Sequence, residues 1–495
     1  MTIFRDGFLA RGLTSARRVH SSKPCVHRPR QPRFARIGLE RLEDRLSPTC
    51  DCYANLFAGP RLVSVDSNQS MLLEGVFNAL LPGSYVDLTV ADWNAIAGSS
   101  LNLDAFFGSL ETQLGVSTPA QALSANATLA QIFAAAANAV PADGNTAALH
   151  VALLDLSQDV TVQELNQTIQ LGDLLHVTFP DGSFADAGLN ALNLVTGTIE
   201  LYNFRNVATT NDPVIIAGTV LNQPGVNTVT IYAQVIEPPI IDPVVYEGDQ
   251  FYSAAIRFKL DVDLVDFHPV GATNVTISQM QLYLDVARAQ GQVTLVHMLS
   301  ALQTAVTVKA GQGVADVYLG TISDSLFFNR TVQITPAMLD YGSIGSFTNV
   351  LGQSLTLQAK AYSEGTAPFA TALEFFGPYP ESQTTGTSAV FVANAVDDLL
   401  RSLNVRLLLN GTVVPDPTGT LRQTVADALY QPLSSVLSGV GDPALTLLGT
   451  GLGEMDVTIN STNCPPRAET VRVSAVPGAC GAGIPAIGFP PTRTS

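Results

Sequence analysis

No run of about 18 consecutive apolar residues occurs in this chain of 495 residues, which excludes a membrane-spanning helix. Charge is sparse as well. Charged residues make up 14% and hydrophobic ones 46%, a balance that excludes a chain disordered throughout. Lysine is nearly missing, occurring after residue 49 only as Lys259, Lys309 and Lys360. The histidines beyond that point, His150, His176, His268 and His297, are far apart, and no HExxH spacing or GxSxG elbow occurs. The metalloprotease and α/β-hydrolase signatures are therefore absent. Five cysteines are present, at 25, 50, 52, 464 and 480, and a single CxC without a second cluster is poor zinc spacing. No chemistry is legible, so the expectation is a non-enzymatic protein without catalytic residues, cofactor or metal.

What charge there is falls unevenly. Residues 1–49 hold eleven of the 25 basic and four of the 42 acidic residues, a net of +7, which leaves 14 and 38 in the body, a net of −24. So acidic a body repels phosphate backbones, and nucleic acid is not expected as a partner. The basic leader lacks the apolar stretch of a secretory signal. It ends in Leu39, Glu40, Arg41, Leu42, Glu43, Asp44, Arg45, Leu46 and Ser47. This run resembles the LExLExRxLLS-type N-terminal motif of large exported planctomycete proteins, departing from it only at the penultimate Leu. The resemblance implies that Leu39, Glu40, Leu42, Glu43, Arg45, Leu46 and Ser47 form a sorting motif. Residues 1–49 are expected to be a disordered sorting segment, able to touch anionic membrane surfaces weakly.

Residues 50–100 mix short apolar runs with turn residues and read as strands or irregular chain. The Ala-rich stretch 101–176 reads as short capped helices. Asp104 is the expected cap of a helix through Leu114, Thr118 caps one that has Pro119 at its first position, and Thr128 caps one ending near Val140. From about 188 strand periodicity takes over. Val229, Ile231, Ala233 and Val235 alternate with polar residues, and Ile256, Phe258, Leu260, Val262 and Leu264 alternate with Arg257, Lys259, Asp261 and Asp263. Further strands are expected at 274–286, 292–298, 305–309, 316–319, 331–334 and 354–362. Helical spacing returns at Val392, Val396, Leu399 and Leu403, and again from Leu421 to Leu437 with a bend at Pro432.

Several blocks in this order resemble the TadG-like family of bacterial envelope proteins associated with tight-adherence pili. They include Thr168–Leu175, Leu189–Val195, Val235–Pro239, Ala255–Leu264, Leu282–Gln290 and Leu448–Ile459, with Cys464 shortly after. The chain departs from that family in lacking a membrane helix, and in having Met298 where the family pattern suggests Cys. The resemblance implies a periplasmic, cell-surface or extracellular protein, structural or adhesive, whose partners are other envelope or pilus proteins. The alternative is an envelope protein with a greasy groove for a lipid or other hydrophobic ligand.

The expected fold class is α+β. Its parts are the leader 1–49, first strands and a helical module over 50–187, an antiparallel β region over 188–385, a helix pair with closing hairpin over 386–480, and a disordered tail over 481–495. Three acidic or glycine-rich stretches invite sharper readings. Asp261, Asp263 and Asp266 lack the glycine and later ligands of a calcium loop and read as a solvated strand face. Asp181–Asp186 reads as a turn. Gly449, Gly451 and Gly453 read as a helix end rather than a dinucleotide loop. In an exported chain, Cys464 and Cys480 are the expected disulfide, closing a loose hairpin of 455–463 on 469–476. Pairings of Cys50 or Cys52 with either are the rivals.

Overall fold

The computed structural model describes residues 52–464, except 59–63, 82–85, 163–164, 178–186, 208–212, 219–222, 224, 268–274, 301–302, 350, 366–369, 387, 417–418 and 449–453. The leader motif at 39–47, Cys25, Cys50, Cys480, the 181–186 turn and the 449–453 glycines thus lie outside the described residues.

The fold is α+β. Helices Ser67–Leu80, Val90–Ala97, Leu103–Leu114, Pro119–Ser124, Leu129–Asn138, Ala147–Val162 and Ala191–Asn206 come first, preceded by strand Tyr53–Ala58. The first two helices correct the reading of 50–100 as strands or irregular chain. Each begins at a capping box, Asp66 with Gln69 and Thr89 with Asp92, in which side chains satisfy the otherwise orphaned N–H groups of the first turn. Thr118 and Thr128 cap as expected, but Asn102, not Asp104, caps the helix through Leu114. Its side chain accepts from the Ala105 N–H at 2.9 Å.

Helix Ala191–Asn206 corrects the expectation of strands from 188. Its residues are buried from Ala191 to Asn203 almost without interruption, so it shows no amphipathic stripe and reads from sequence like a buried strand. It lies between the surrounding helices and the main sheet. That sheet has nine strands. Its path runs Thr412–Val414, Asn404–Leu409, Ser354–Ser363, Ala315–Leu319, Val275–Val286, Ala255–Phe267, Val226–Glu237 and Val214–Ala217, with Gly342–Thr348 pairing aside. All its pairings are antiparallel. Helices Ser388–Ser402 and Leu421–Val436 pack on it from the C-terminal side, and their Val396, Leu399, Val425 and Leu429 join the same apolar core as Trp93, Phe133 and Val195. The helical module, the β region and the C-terminal helices thus share one core. Pro432 stays inside its helix, and regular bonding gives way to π geometry only at Leu437–Gly441.

The alternation at Ala255–Phe267 is as read, and its charged face is solvated at Asp263 but covered at its basic residues. Arg257 and Lys259 are buried beneath the segment 320–341. Arg257 pairs with Asp285 at 3.0 Å and donates to the carbonyls of Phe327, Asn329 and Val332, while Lys259 reaches Asp324 at 3.1 Å. Residues 331–334 are consequently irregular chain rather than a strand. In place of a ladder, the Val332 carbonyl accepts from Arg257, the Thr331 N–H donates to the Asn329 side chain and the Val332 N–H to the Asn329 carbonyl.

Two four-stranded sheets build a second core. One runs Glu381–Gly386, Glu454–Asn463, Tyr53–Ala58, Val244–Val245; the other runs Thr371–Phe375, Gln303–Gly311, Gln290–Ser300, Gln250–Tyr252. Ala54, Leu56, Phe251, Val293, Val306, Phe375 and Val457 fill the space between them. Strand Glu454–Asn463 pairs with Tyr53–Ala58 and Glu381–Gly386, so its expected partner at 469–476 is replaced, among the described strands, by residues far away in sequence. The disulfide is corrected with it. Cys464 is bonded to Cys52, beside the Tyr53–Asn463 register pair, and is therefore not bonded to Cys480. No helix among the described residues is long and apolar enough to cross a membrane.

Candidate functional site

Two buried carboxylic acids meet a cavity where the two cores join. The first, Glu200, sits in the middle of helix Ala191–Asn206. Asn190 starts that helix by accepting the Asn193 N–H at 3.0 Å, and the apolar residues on every side then hold Glu200 inside. Glu200 is 1% exposed, and its Oε1 has no hydrogen-bond partner. Burial pushes its carboxyl well above the usual carboxylate range.

The second, Asp242, lies on the connector between strands Val226–Glu237 and Val244–Val245. Pro238 and Pro239 stop the first strand, and the connector is then stitched on both sides. Ile240 exchanges backbone bonds with Tyr252, and Ile241 donates to Leu174 while accepting from His176. Asp242 is 8% exposed and accepts only a long 3.4 Å bond from the Val244 N–H. Burial, and secondarily the charge of Asp249, raise its carboxyl to about 8. Neither acid is ion-paired among the described residues.

The cavity between them has a volume of about 40 Å³, and its remaining walls are mostly apolar, with Leu56, Ile241, Phe251 and Met455 prominent. Gly197 lets the helix approach closely, since a methyl group there would stand 2.8 Å from Leu174 Cδ1. Outside lies an open groove of about 530 Å³ lined by His176, Asp249 and Gln250, which shares Ile240, Asp242 and Tyr252 with the cavity. Arg288 stacks on Tyr252 at 4.3 Å and pairs with Glu237 at 3.2 Å. A cavity of about 40 Å³ is far below the several hundred that a lipid-sized ligand needs.

A protein-family model described as a domain of unknown function (DUF8293) matches residues 73–200. The match covers about a quarter of the chain, from inside the first helix to Glu200. It takes in the helical half of the site and leaves out Asp242. The chain matches no curated protein and no solved structure.

The residues singled out from sequence fall elsewhere. Asp261 lies 3.5 Å from Lys259, and Asp263 accepts from Thr228 at 2.8 Å. No group of three or more His, Cys, Asp or Glu able to hold a metal lies among the described residues. His150 caps a neighbouring helix by contacting the Ala137 carbonyl at 2.8 Å. Neither Glu200 nor Asp242 was singled out, although each carries a signal. Glu200 is the lone acid in Ala191–Asn206, and Asp242 interrupts an apolar run between prolines. An isolated charge in an apolar run is costly to bury and so marks a place where burial has a purpose.

Proposed function

We propose that this chain is a non-enzymatic, exported protein of the cell envelope or surface, structural or adhesive in role and similar to TadG-like pilus-associated proteins. One observation carries the reading: Cys52 and Cys464 form a disulfide between strands at the two ends of the described chain. Such bonds persist in oxidising compartments and are rare where thiols are kept reduced. The order of the TadG-like sequence blocks and the leader motif at Leu39–Ser47 support the same compartment. Two sheets packed on a common core, one of them locked by a covalent bond at the ends of two paired strands, suit a part that must survive outside the cell.

Surface labelling of intact cells with a membrane-impermeant amine reagent, followed by fractionation, tests the reading. Labelled full-length protein in the envelope or medium is the expected result. Protein recovered only from the cytosol, unlabelled, overturns it.

A further inference from the structure

We propose that the groove and cavity joining Asp242 to Glu200 form a binding site for a primary alkylammonium group, such as a free amine or the end of a lysine side chain. The geometry is that of a funnel. The outer groove is lined by Asp242, Asp249 and Tyr252, and it leads into a narrow apolar cavity on which Glu200 is buried with Oε1 unpartnered. A buried carboxyl oxygen without a partner is expensive, and a donor brought by a ligand removes that cost.

The size and walls of the cavity choose the donor. About 40 Å³ accommodates roughly three non-hydrogen atoms, since one water needs about 10–15 Å³ by the same measure. An ammonium with one or two methylenes fits that space, placing its carbons on Leu56, Phe251 and Met455 and its N–H donors toward the acids. A guanidinium presents five donors in a planar fork, too many for so apolar a chamber. A calcium ion calls for six to eight oxygens, and no acidic cluster of three stands here among the described residues. The net charge of −24 over residues 50–495 attracts cations to the mouth.

The protons follow from the surroundings. Asp242 is faced by Asp249, with His176 and Tyr252 on the same groove and the Arg288–Glu237 pair behind Tyr252. The cavity lining contains no Lys, Arg or His to balance either acid. Burial without a basic partner therefore biases both carboxyls toward the neutral form when the site is empty, and an incoming ammonium makes the charged form favourable. Binding releases a proton to solvent.

Titration calorimetry of the full-length protein with n-butylammonium chloride tests this, with n-butanol and guanidinium chloride as controls. Butylammonium should bind and release about one proton, read from buffers of different ionisation enthalpy, so affinity rises about tenfold per pH unit below pH 8. Butanol and guanidinium should not bind. Glu200→Gln should leave the free protein folded with a thermal midpoint no lower than the parent's and abolish binding, and Asp242→Asn should flatten the pH slope. Two further probes, 1,5-diaminopentane and N-acetyl-lysine methylamide, separate the sources, and the tighter of the two tells whether free amines or lysine side chains are the ligand. No heat with any amine, butanol binding as well as butylammonium, or full binding by Glu200→Gln overturns the proposal and leaves a cavity filled by water.

Discussion

Cys52 and Cys464, 412 residues apart, are joined covalently with their Cα atoms 4.2 Å from one another. The bond closes strand Tyr53–Ala58 on strand Glu454–Asn463, whose Leu56, Val457 and Ile459 belong to the second core. Cys52→Ser should cost about 2–5 kcal/mol. Denaturant melts with and without reductant check this, and the variant should respond to reductant far less than the parent.

Arg257 should be the most sensitive single position beneath segment 320–341. Its removal leaves Asp285 and the carbonyls of Phe327, Asn329 and Val332 without their donor. Arg257→Met is expected to lose about 3–5 kcal/mol. Arg257→Lys should recover little, because an ammonium cannot span four acceptors in a planar fan. Limited proteolysis should cut within 320–341 in both variants before the rest of the fold opens.

Stability should fall as pH rises from 4 to 8. The Asp242 carboxyl ionises near 3.8 in an ordinary setting and near 8 in the fold. Between those values the folded chain binds more protons than the unfolded one, so the contribution is complete below 3.8 and lost as pH climbs through about 8. Glu200 acts in the same direction. The acidic body repels itself more over part of this range, which makes the variant decisive. Urea midpoints at pH 5 and pH 8 should differ less for Asp242→Asn than for the parent, and an unchanged difference would contradict the assignment.

Trp93 is the sole tryptophan and is fully buried against Phe77, with ring centroids 5.3 Å apart. It shares its core with strands of the main sheet and with the C-terminal helices. Tryptophan fluorescence and far-UV circular dichroism should therefore report coincident unfolding transitions. A fluorescence transition well ahead of the other would show that the helical module unfolds alone.

The sequence made local structure legible and long-range structure much less so. Thr118 and Thr128 announced their helices because a cap is a local hydrogen bond, and the alternation at Ile256–Leu264 announced its strand. The capping boxes at Asp66 and Thr89 were equally readable, but short apolar runs around them drew the reading toward strands. Helix Ala191–Asn206 was hidden by its burial on all sides, which erases the period that distinguishes helix from strand. Strand Glu454–Asn463 was visible, but its partners Tyr53–Ala58 and Glu381–Gly386 were not, since no local pattern encodes a pairing between segments so far apart in sequence. The Cys52–Cys464 bond stood only among the rival pairings for the same reason, and the approach of Asp242 to the Glu200 cavity depends on tertiary packing that no local pattern shows.

The Cys52–Cys464 bond closes the fold, and its proposed place of formation is outside the cytoplasm. Non-reducing peptide mapping by mass spectrometry, on protein recovered from the cell exterior, tests it most directly. The predicted result is a peptide containing Cys52 linked to one containing Cys464, separated by reductant. Free thiols at both positions, or Cys464 linked to Cys480, would contradict it.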